Sequence, residues 1–449
     1  MTIDITGRSA SEISADLRTR IERGELAPGT LLPPVRTLAT DLGVNRNTVV
    51  AAYRQLAQAG LVEARGRGGT RVADRAAVAQ EGYAPDTVLR DVGTGNPDPA
   101  RIPDPTAALA RSARPVLYGE PVIDPGLEAW ARGWMTEELP QDDVRITVTS
   151  GASDAIERLL AQALQRDDAV ALEDPCFLSA LHTVRTGGYR AVPVPVDAEG
   201  MTVDGLRAAL AAGVRAVVCT PRAHNPTGAS LSAERAAQLR AVLAAHPYVL
   251  VIEDDHFSLL SRAPLHSVIG PPQRRWARIR SMSKFLGPDT CLAVTASDPD
   301  TADGLGVRLT PGTTWVSHIL QRLTLALVTD DEVRAGIEEA AEHYARRNTA
   351  FAKALTARGL AVRPGDGLNL WVPLPVPAAG VREDLMHRGW LVREGDPFFL
   401  GEGERGSFLR LTVHDLDEDA ARTLADDIAA VAGVSGARRP GARGGRIEV

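Results

Sequence analysis

The sequence is short of lysine, cysteine, aromatic residues and long apolar runs, and each shortage closes off a class of protein. No stretch approaches the ~20 consecutive apolar residues that a membrane-spanning helix needs. The opening MTIDITGRSASEISADLRTRI is amphipathic and acid-containing, without the apolar core of a secretion signal. Three cysteines occur in 449 residues: Cys176, Cys219 and Cys291. Odd in number and far apart, they make neither a disulfide framework nor a metal-ligand cluster; a cytoplasmic location without a metal is expected. Aromatic residues are 4% of the chain, yet hydrophobic residues reach 44% and charged ones 24%, the balance of a globular protein. The length predicts two or three domains.

Lysine is the sharpest shortage. Of 50 basic residues two are lysine, Lys284 and Lys353, which leaves 48 arginines. A chain so biased toward arginine is expected to keep lysine where arginine cannot serve. Arginine stays protonated and has no nucleophilic amine, whereas a lysine with a lowered pKa forms imines. Lys353 lies in a charged helical run and reads as surface.

The net charge of −7 is unevenly spread. Residues 1–75 carry 11 arginines against 8 acids (+3), and the remainder carries 39 basic and 49 acidic residues (−10). A small basic module on a large acidic body suggests DNA binding at one end. In that module Ile13, Leu17 and Ile21 mark a helix over 9–23. Pro34 suits the first position of a second helix carrying Val35, Leu38 and Leu42, which Gly43 ends. Asn45 can cap a third, with Val49, Tyr53 and Leu56 inward and Gly60 at its end. LVEARGRGGTRVA reads as two strands around a Gly/Arg tip. Three helices and a β-wing make a winged helix-turn-helix.

Beyond a short alanine-rich linker, RITVTS, AVALED, RAVVCTP, YVLVIEDD and ARIRSMS alternate with helical stretches, predicting a mostly parallel, helix-covered sheet. From about 330 a charged helix leads into GLNLWVPL, a helix near 379–388, SFLRLTV and a last helix near 415–432, which reads as a smaller α+β subdomain. The expected division is 1–75 head, 76–90 linker, 91–330 large domain, 331–435 small domain and a basic, disordered tail at 436–449.

The run LLPPVRTLATDLGVNRNTVVAAYRQLAQAGLVEARGRGGTRVA resembles the GntR-type winged helix. Such units put the start of their second helix-turn-helix helix into the major groove. Asn45, Arg46 and Thr48 stand there, Arg46 suited to a guanine edge and Thr48 to a phosphate. The resemblance adds Arg36 as a DNA contact. Arg65 and Arg67 on the wing are placed for the backbone or minor groove.

Lys284, in RSMSKFLGPD, follows a strand. An aldehyde cofactor such as pyridoxal phosphate needs a lysine amine, an acid near its pyridine nitrogen and donors for its phosphate. Gly151, Ala152 and Ser153 precede or open a helix, whose free N–H groups make an anion site. Asp254 ends a buried strand, Asn225 in NPTG offers an amide, and Phe177 in EDPCF can stack on a ring. In order, these motifs resemble fold type I aminotransferases, which implies pyridoxal 5'-phosphate as cofactor and Lys284 as its Schiff-base lysine. The resemblance pairs Asp254 with the pyridine nitrogen, Asn225 with the ring oxygen, and Ser281, Ala152 and Ser153 with the phosphate. Tyr118 matches a tyrosine that reaches the neighbouring subunit's cofactor, and Arg410 an arginine that grips a carboxylate. Two positions depart from the pattern. Cys291 stands where an arginine usually clamps the phosphate, which implies weaker binding unless Arg222, Arg278 or Arg280 compensates. His256 replaces a tyrosine facing the ring oxygen, and its charge depends on pH.

A GntR-type head joined to such a body resembles the MocR family of regulators, with TGNPDPARIPDP, LYGEP and EDDHFSLLS closest to its PtsJ-like branch. The implied protein is a domain-swapped homodimer that binds a double-stranded DNA operator. Its effector would be pyridoxal phosphate, an amine or an amino acid, sensed through Lys284. A working aminotransferase carrying a DNA-binding head is the alternative, favoured by the intact Lys284, Asp254, Asn225 and Arg410. A body that serves purely as a dimerisation scaffold is a third.

Overall fold

The computed structural model describes residues 5–58, 61–64, 69–72, 82, 84, 87–136, 139, 143–309, 315–400 and 406–434. The chain divides into two compact units, one holding residues 1–80 and the other the bulk of 81–449.

In the first unit, α1 (Ala10–Glu22), α2 (Val35–Leu42) and α3 (Arg46–Gln58) are followed by β1 (Val62–Ala64) and β2 (Thr70–Val72). Ser9 Oγ caps α1 by accepting from Glu12 N, and Glu12 reaches back to Arg8 N. Pro34 sits one residue earlier than its sequence position suggested, as the extended residue before α2 rather than its first turn. Gly43 takes the left-handed conformation (φ 64°) that ends α2. Ile13, Leu17, Leu38, Val49, Tyr53 and Leu56 meet in one core, as their spacing requires. The antiparallel β1–β2 pair forms the wing, and Leu31 bridges to Arg71 beside it. Gly60 and the wing-tip Arg65 and Arg67 lie outside the described residues, as do most of the linker and the 436–449 tail.

The second unit opens with β3 (Arg90–Asp91), α4 (Thr106–Ser112) and α5 (Pro125–Thr136). Strands and helices then alternate: β4 (Arg145–Thr149), α6 (Ala152–Ala163), β5 (Ala169–Asp174), α7 (Leu178–Thr186), β6 (Arg190–Asp197), β7 (Gly200–Met201), α8 (Val203–Ala211), β8 (Ala216–Cys219) and α9 (Ala233–Leu243). β9 (Leu250–Asp254), β10 (Trp276–Ser281), β11 (Ala293–Ser297) and α10 (Pro299–Leu309) complete the alternation. These strands form a sheet in the order β4-β11-β10-β9-β8-β5-β6-β7. β5, β8, β9 and β10 run parallel, and β11 runs antiparallel between β10 and β4. β9 and β10 are buried at every position, as strands covered on both faces must be.

Next come α11 (His318–Val328) and the 26-residue α12 (Asp331–Thr356). β12 (Asn369–Leu374), α13 (Ala378–His387), β13 (Trp390–Leu391), β14 (Arg393–Glu394), β15 (Ser407–Thr412) and α14 (Glu418–Val431) follow. Two hydrophobic cores result. One lies around the large sheet and takes Ile337, Ala340 and Tyr344 from α12; the other takes Phe351, Ala352 and Leu355 from the same helix, together with β12, β15 and α14. Val92, just after β3, belongs to the second core, and β3 pairs with β13.

Candidate cofactor site and DNA-reading surface

In the head, the start of α3 is presented as the motif requires. Arg36, Asn45 and Arg46 are exposed and Thr48 is half-buried. Asn45 Oδ1 accepts from Asn47 N at 2.8 Å, so this side chain caps the helix. The free N–H groups of the first turn and the helix dipole add positive potential at the same end.

In the body, the ends of parallel strands bring together residues far apart in sequence. Lys284 shares a small cavity with Asn225, His256, Asp366 and Asn369, and His224 also lines it. Lys284 Nζ donates to Gly95 O at 3.2 Å. Asp254, at the end of β9, is buried, and its Oδ1 has no hydrogen-bond partner. Burial pushes this carboxyl up to about 7, with the Asp255 charge adding to the rise and Lys284 opposing it. A buried carboxylate oxygen left without a donor is costly, and a ligand that supplies a proton there removes that cost.

Gly151 sits at the N-cap of α6 with φ 94°. That conformation suits glycine and leaves the helix start open to an anion. Around it, Ser153 Oγ lies 2.7 Å from Ser179 Oγ, and Ser281 Oγ accepts from Ser283 N at 3.2 Å. Cys291 is exposed and in a left-handed conformation (φ 39°). Its Sγ lies 3.5 Å from Ser150 O, so the residue that replaces an arginine does border the α6 turn. The three arginines that stood as substitutes are committed elsewhere. Arg222 makes a two-pronged pair with Asp255 (2.7 and 2.9 Å), Arg280 joins the same carboxylate at 2.8 Å, and Arg278 grips Glu253 at 2.8 Å. Each of the three is thus paired with a buried carboxylate.

The Phe177 and His256 rings are parallel to within 6° with centroids 6.4 Å apart. Asn225 Oδ1 accepts from Arg410 Nη1 at 3.4 Å, while Arg410 Nη2 donates to Gly93 O at 2.7 Å. The fully buried Arg410 guanidinium also lies over the Phe398 ring. Arg410 thus reaches the site through Asn225 but does not line the cavity itself. Tyr118 is 90% exposed, packs against Trp315 and does not line the cavity at Lys284.

A buried pair escaped the sequence reading. His224 Nε2 lies 3.4 Å from Glu173 Oε2, which accepts from Thr220 N at 3.0 Å, and His224 Nδ1 lies 2.8 Å from Thr227 Oγ1. Burial raises Glu173 to about 8 and lowers His224 to about 3, so burial favours the uncharged form of each. The signal available in the sequence was a glutamate inside the apolar run AVALED, which needs a buried partner. Among the described residues, no group of three His, Cys, Asp or Glu side chains is placed to hold a metal, and no helix is long and apolar enough to cross a membrane.

Comparison with known proteins matches residues 94–428 to the aminotransferase class I and II family and residues 9–72 to the bacterial regulatory proteins of the gntR family. The vitamin B6 salvage pathway transcriptional repressor PtsJ of Salmonella typhimurium is 48% identical over 426 residues, which is 94% of this chain and 98% of that protein. The probable rhizopine catabolism regulatory protein MocR of Rhizobium meliloti is 26% identical over 77% of this chain and 76% of its own length. Among solved structures, the kynurenine aminotransferase of Pyrococcus horikoshii superposes with a TM-score of 0.68 at 21% identity, covering 78% of this chain and 91% of that one. This last likeness shows the fold.

Proposed function

We propose, from the premise that the chain belongs to the MocR-type family, in which a GntR winged helix is fused to an aminotransferase class I and II body, that this protein is a cytoplasmic transcriptional regulator. It binds an operator through Arg36, Asn45, Arg46 and Thr48, with Arg65 and Arg67 on the wing. It senses pyridoxal phosphate, or an amine or amino acid joined to it, through a Schiff base on Lys284. The kinship with a repressor of vitamin B6 salvage supports pyridoxal phosphate as the first effector to test and repression as the first direction.

The observation that carries this reading is the buried Asp254 Oδ1 without a donor, close enough to Lys284 for the two charges to interact. That pairing fits a ligand with a protonated ring nitrogen and an aldehyde. When bound, pyridoxal phosphate supplies the electrophilic aldehyde. Asp254 would hold the proton on the ring nitrogen, and Asn225 and His256 would hydrogen-bond the ring oxygen. Phe177 would stack on the ring. Gly151, Ala152, Ser153 and Ser281 would hold the phosphate against the start of α6. Arg410, already bonded to Asn225, would meet an effector's carboxylate.

The protein is expected to be a homodimer. Leu109, Leu117, Tyr118, Val122 and Ile319 are exposed apolar side chains on α4, α11 and the segment between α4 and α5, and Tyr118 would reach the partner's cofactor. Effector binding that favours one domain arrangement shifts populations and hence operator affinity. The test is a visible spectrum with pyridoxal phosphate, run beside operator titrations at fixed salt. Wild type should gain an imine band and change its DNA affinity, and Lys284→Ala should do neither. An unchanged band and response in Lys284→Ala would sink the reading.

A turnover aminotransferase is the second reading, favoured by the Lys284, Asp254, Asn225 and Arg410 set. Steady conversion of an amino donor and a keto acid would establish it. A single half-reaction that stops would favour the sensor.

A further inference from the structure

Residues 91–98 bond to both functional cations of the site and also to the end of the linker that leads back to the DNA-reading head. Gly93 O accepts from Arg410 Nη2 at 2.7 Å, and Gly95 O accepts from Lys284 Nζ at 3.2 Å. The carbonyl between them, Thr94 O, accepts from Gly82 N at 2.8 Å. Asp91 ties the same two stretches together, with Oδ2 accepting from Ala84 N at 3.0 Å and Oδ1 from Gly93 N at 2.8 Å. The segment is held to the body by Thr412 N to Val92 O (2.7 Å) and Gly95 N to Thr412 Oγ1 (2.9 Å). His414 Nε2 lies 2.9 Å from Asn96 O. A side chain at Gly93 would meet Arg393 N at 2.9 Å, so the close approach needs glycine there.

We propose that residues 91–98 are a tether through which the chemical state of Lys284 reaches the linker of the DNA-reading head. This inference rests on the reading of Lys284 as the sensing amine and adds the route by which sensing leaves the site. The chemistry is explicit. The Lys284 amine attacks an aldehyde carbon, a C–N double bond forms, and the carbonyl oxygen leaves as water with the two amine hydrogens. The nitrogen goes from an ammonium with three N–H donors to an imine nitrogen with at most one, which lies in the plane of the new double bond. With the lysine's donors cut from three to at most one, the Lys284–Gly95 hydrogen bond is weakened or lost when an aldehyde is bound. A carboxylate that engages Arg410 competes with Gly93 O in the same way. An aldehyde alone loosens the hold on Gly95 O, and an amino acid joined to it also removes Arg410 from Gly93 O, which is left to Arg393 Nε at 3.2 Å. In either case Thr94 and Asp91, one to four residues away, carry the change to Gly82 and Ala84, and the chain continues from there to the head.

The test uses the full-length protein with pyridoxal phosphate as the probe. Asp91 touches neither Lys284 nor the cofactor residues, so Asp91→Ala is expected to keep the imine band and its titration curve. The change in operator affinity that pyridoxal phosphate causes in wild type should fall to less than about twofold. Asp91→Asn, which retains one acceptor oxygen, should fall between. Hydrogen exchange provides the second readout: the Gly82 and Ala84 amides of wild type should exchange faster with pyridoxal phosphate present, and those of Lys284→Ala should not respond. A full DNA response in Asp91→Ala, or Gly82 and Ala84 amides indifferent to the ligand while the band forms, would overturn the tether. Absence of the band in wild type would instead overturn the reading of Lys284 on which it rests.

Discussion

The same residue type does opposite work in the two units. In the head, Arg36 and Arg46 are exposed at a helix-turn-helix surface. In the body, Arg278 and Arg410 are wholly buried and Arg280 nearly so, each held by acids, carbonyls or rings. An exposed arginine costs little to keep and waits for an anionic partner. A buried one is held only while its partners remain, a carboxylate for Arg278 and Arg280 and a carbonyl and an amide for Arg410. The difference teaches that arginine abundance here has two causes, an electrostatic footprint for DNA and internal ion pairs around the sheet. It also shows why charge counts located the head but said nothing about the body's interior.

The comparison breaks most sharply at Asp255. This carboxylate is fully buried and holds Arg222 and Arg280 together. Asp255→Asn should cost about 3–5 kcal/mol of stability because it leaves the buried Arg280 and the half-buried Arg222 short of their anion. Denaturant unfolding checks this. The same measurement on Arg46→Ala should show no change beyond about 0.5 kcal/mol.

Next in size is a pH effect at Asp254. Its folded carboxyl titrates at about 7, above its ordinary 3.8. The folded state therefore holds a proton that the unfolded state releases. The contribution is intact below pH ~4 and is lost as pH rises through about 7. The loss is on the order of 4 kcal/mol at its upper limit. Unfolding of cofactor-free protein followed from pH 4 to 8 should show this decline together with that of Glu173, and Asp254→Asn should make it shallower by removing the Asp254 share. A steeper decline in the variant would refute the assignment.

Cys291→Arg sharpens the comparison by adding a third kind of arginine, exposed at the border of the α6 turn. A charge-assisted hydrogen bond to phosphate is worth about 1.5–3 kcal/mol, so pyridoxal phosphate should bind about tenfold to a hundredfold more tightly. Spectral titration reads this directly. Equal affinity would mean that the α6 turn is not the phosphate site.

The smallest effect on the folded protein belongs to the head. Arg46→Ala should weaken operator binding by about 1–3 kcal/mol and relax sequence preference, while Arg36→Ala should weaken all sequences alike and reduce the salt slope. Competition with a scrambled operator separates the two outcomes.

Local patterns in the sequence account for much of this architecture. The spacing of Ile13 and Leu17, the cap at Asn45 and the apolar runs around β9 and β10 are short-range signals, and each element formed where those signals stood. Lys284 stood out because only one other lysine exists. What stayed hidden depends on register between strands. Glu253 meets Arg278 because β9 and β10 run parallel with those residues opposite each other, which the sequence of either strand does not state. The RIR spacing nevertheless puts Arg278 and Arg280 on one face of a buried strand, a sign that two cations there needed acidic partners. The Glu173–His224 pair and the carbonyls of Gly93 and Gly95 were equally hidden, since they depend on which loops converge above the sheet.

Helix α12 has a consequence of its own. Its 26 residues span about 39 Å at the usual rise, with one end seated in the large-sheet core and the other in the core around β12 and β15. Because the two halves of one continuous helix are anchored in different cores, helix cooperativity links them, and the two cores should melt together in one calorimetric step. A rigid rod shared in this way also limits relative movement of the two parts to pivoting about its middle turns, near Tyr344 and Asn348. Both of those residues are buried and hydrogen-bonded, to Asp98 N and Gly367 O respectively.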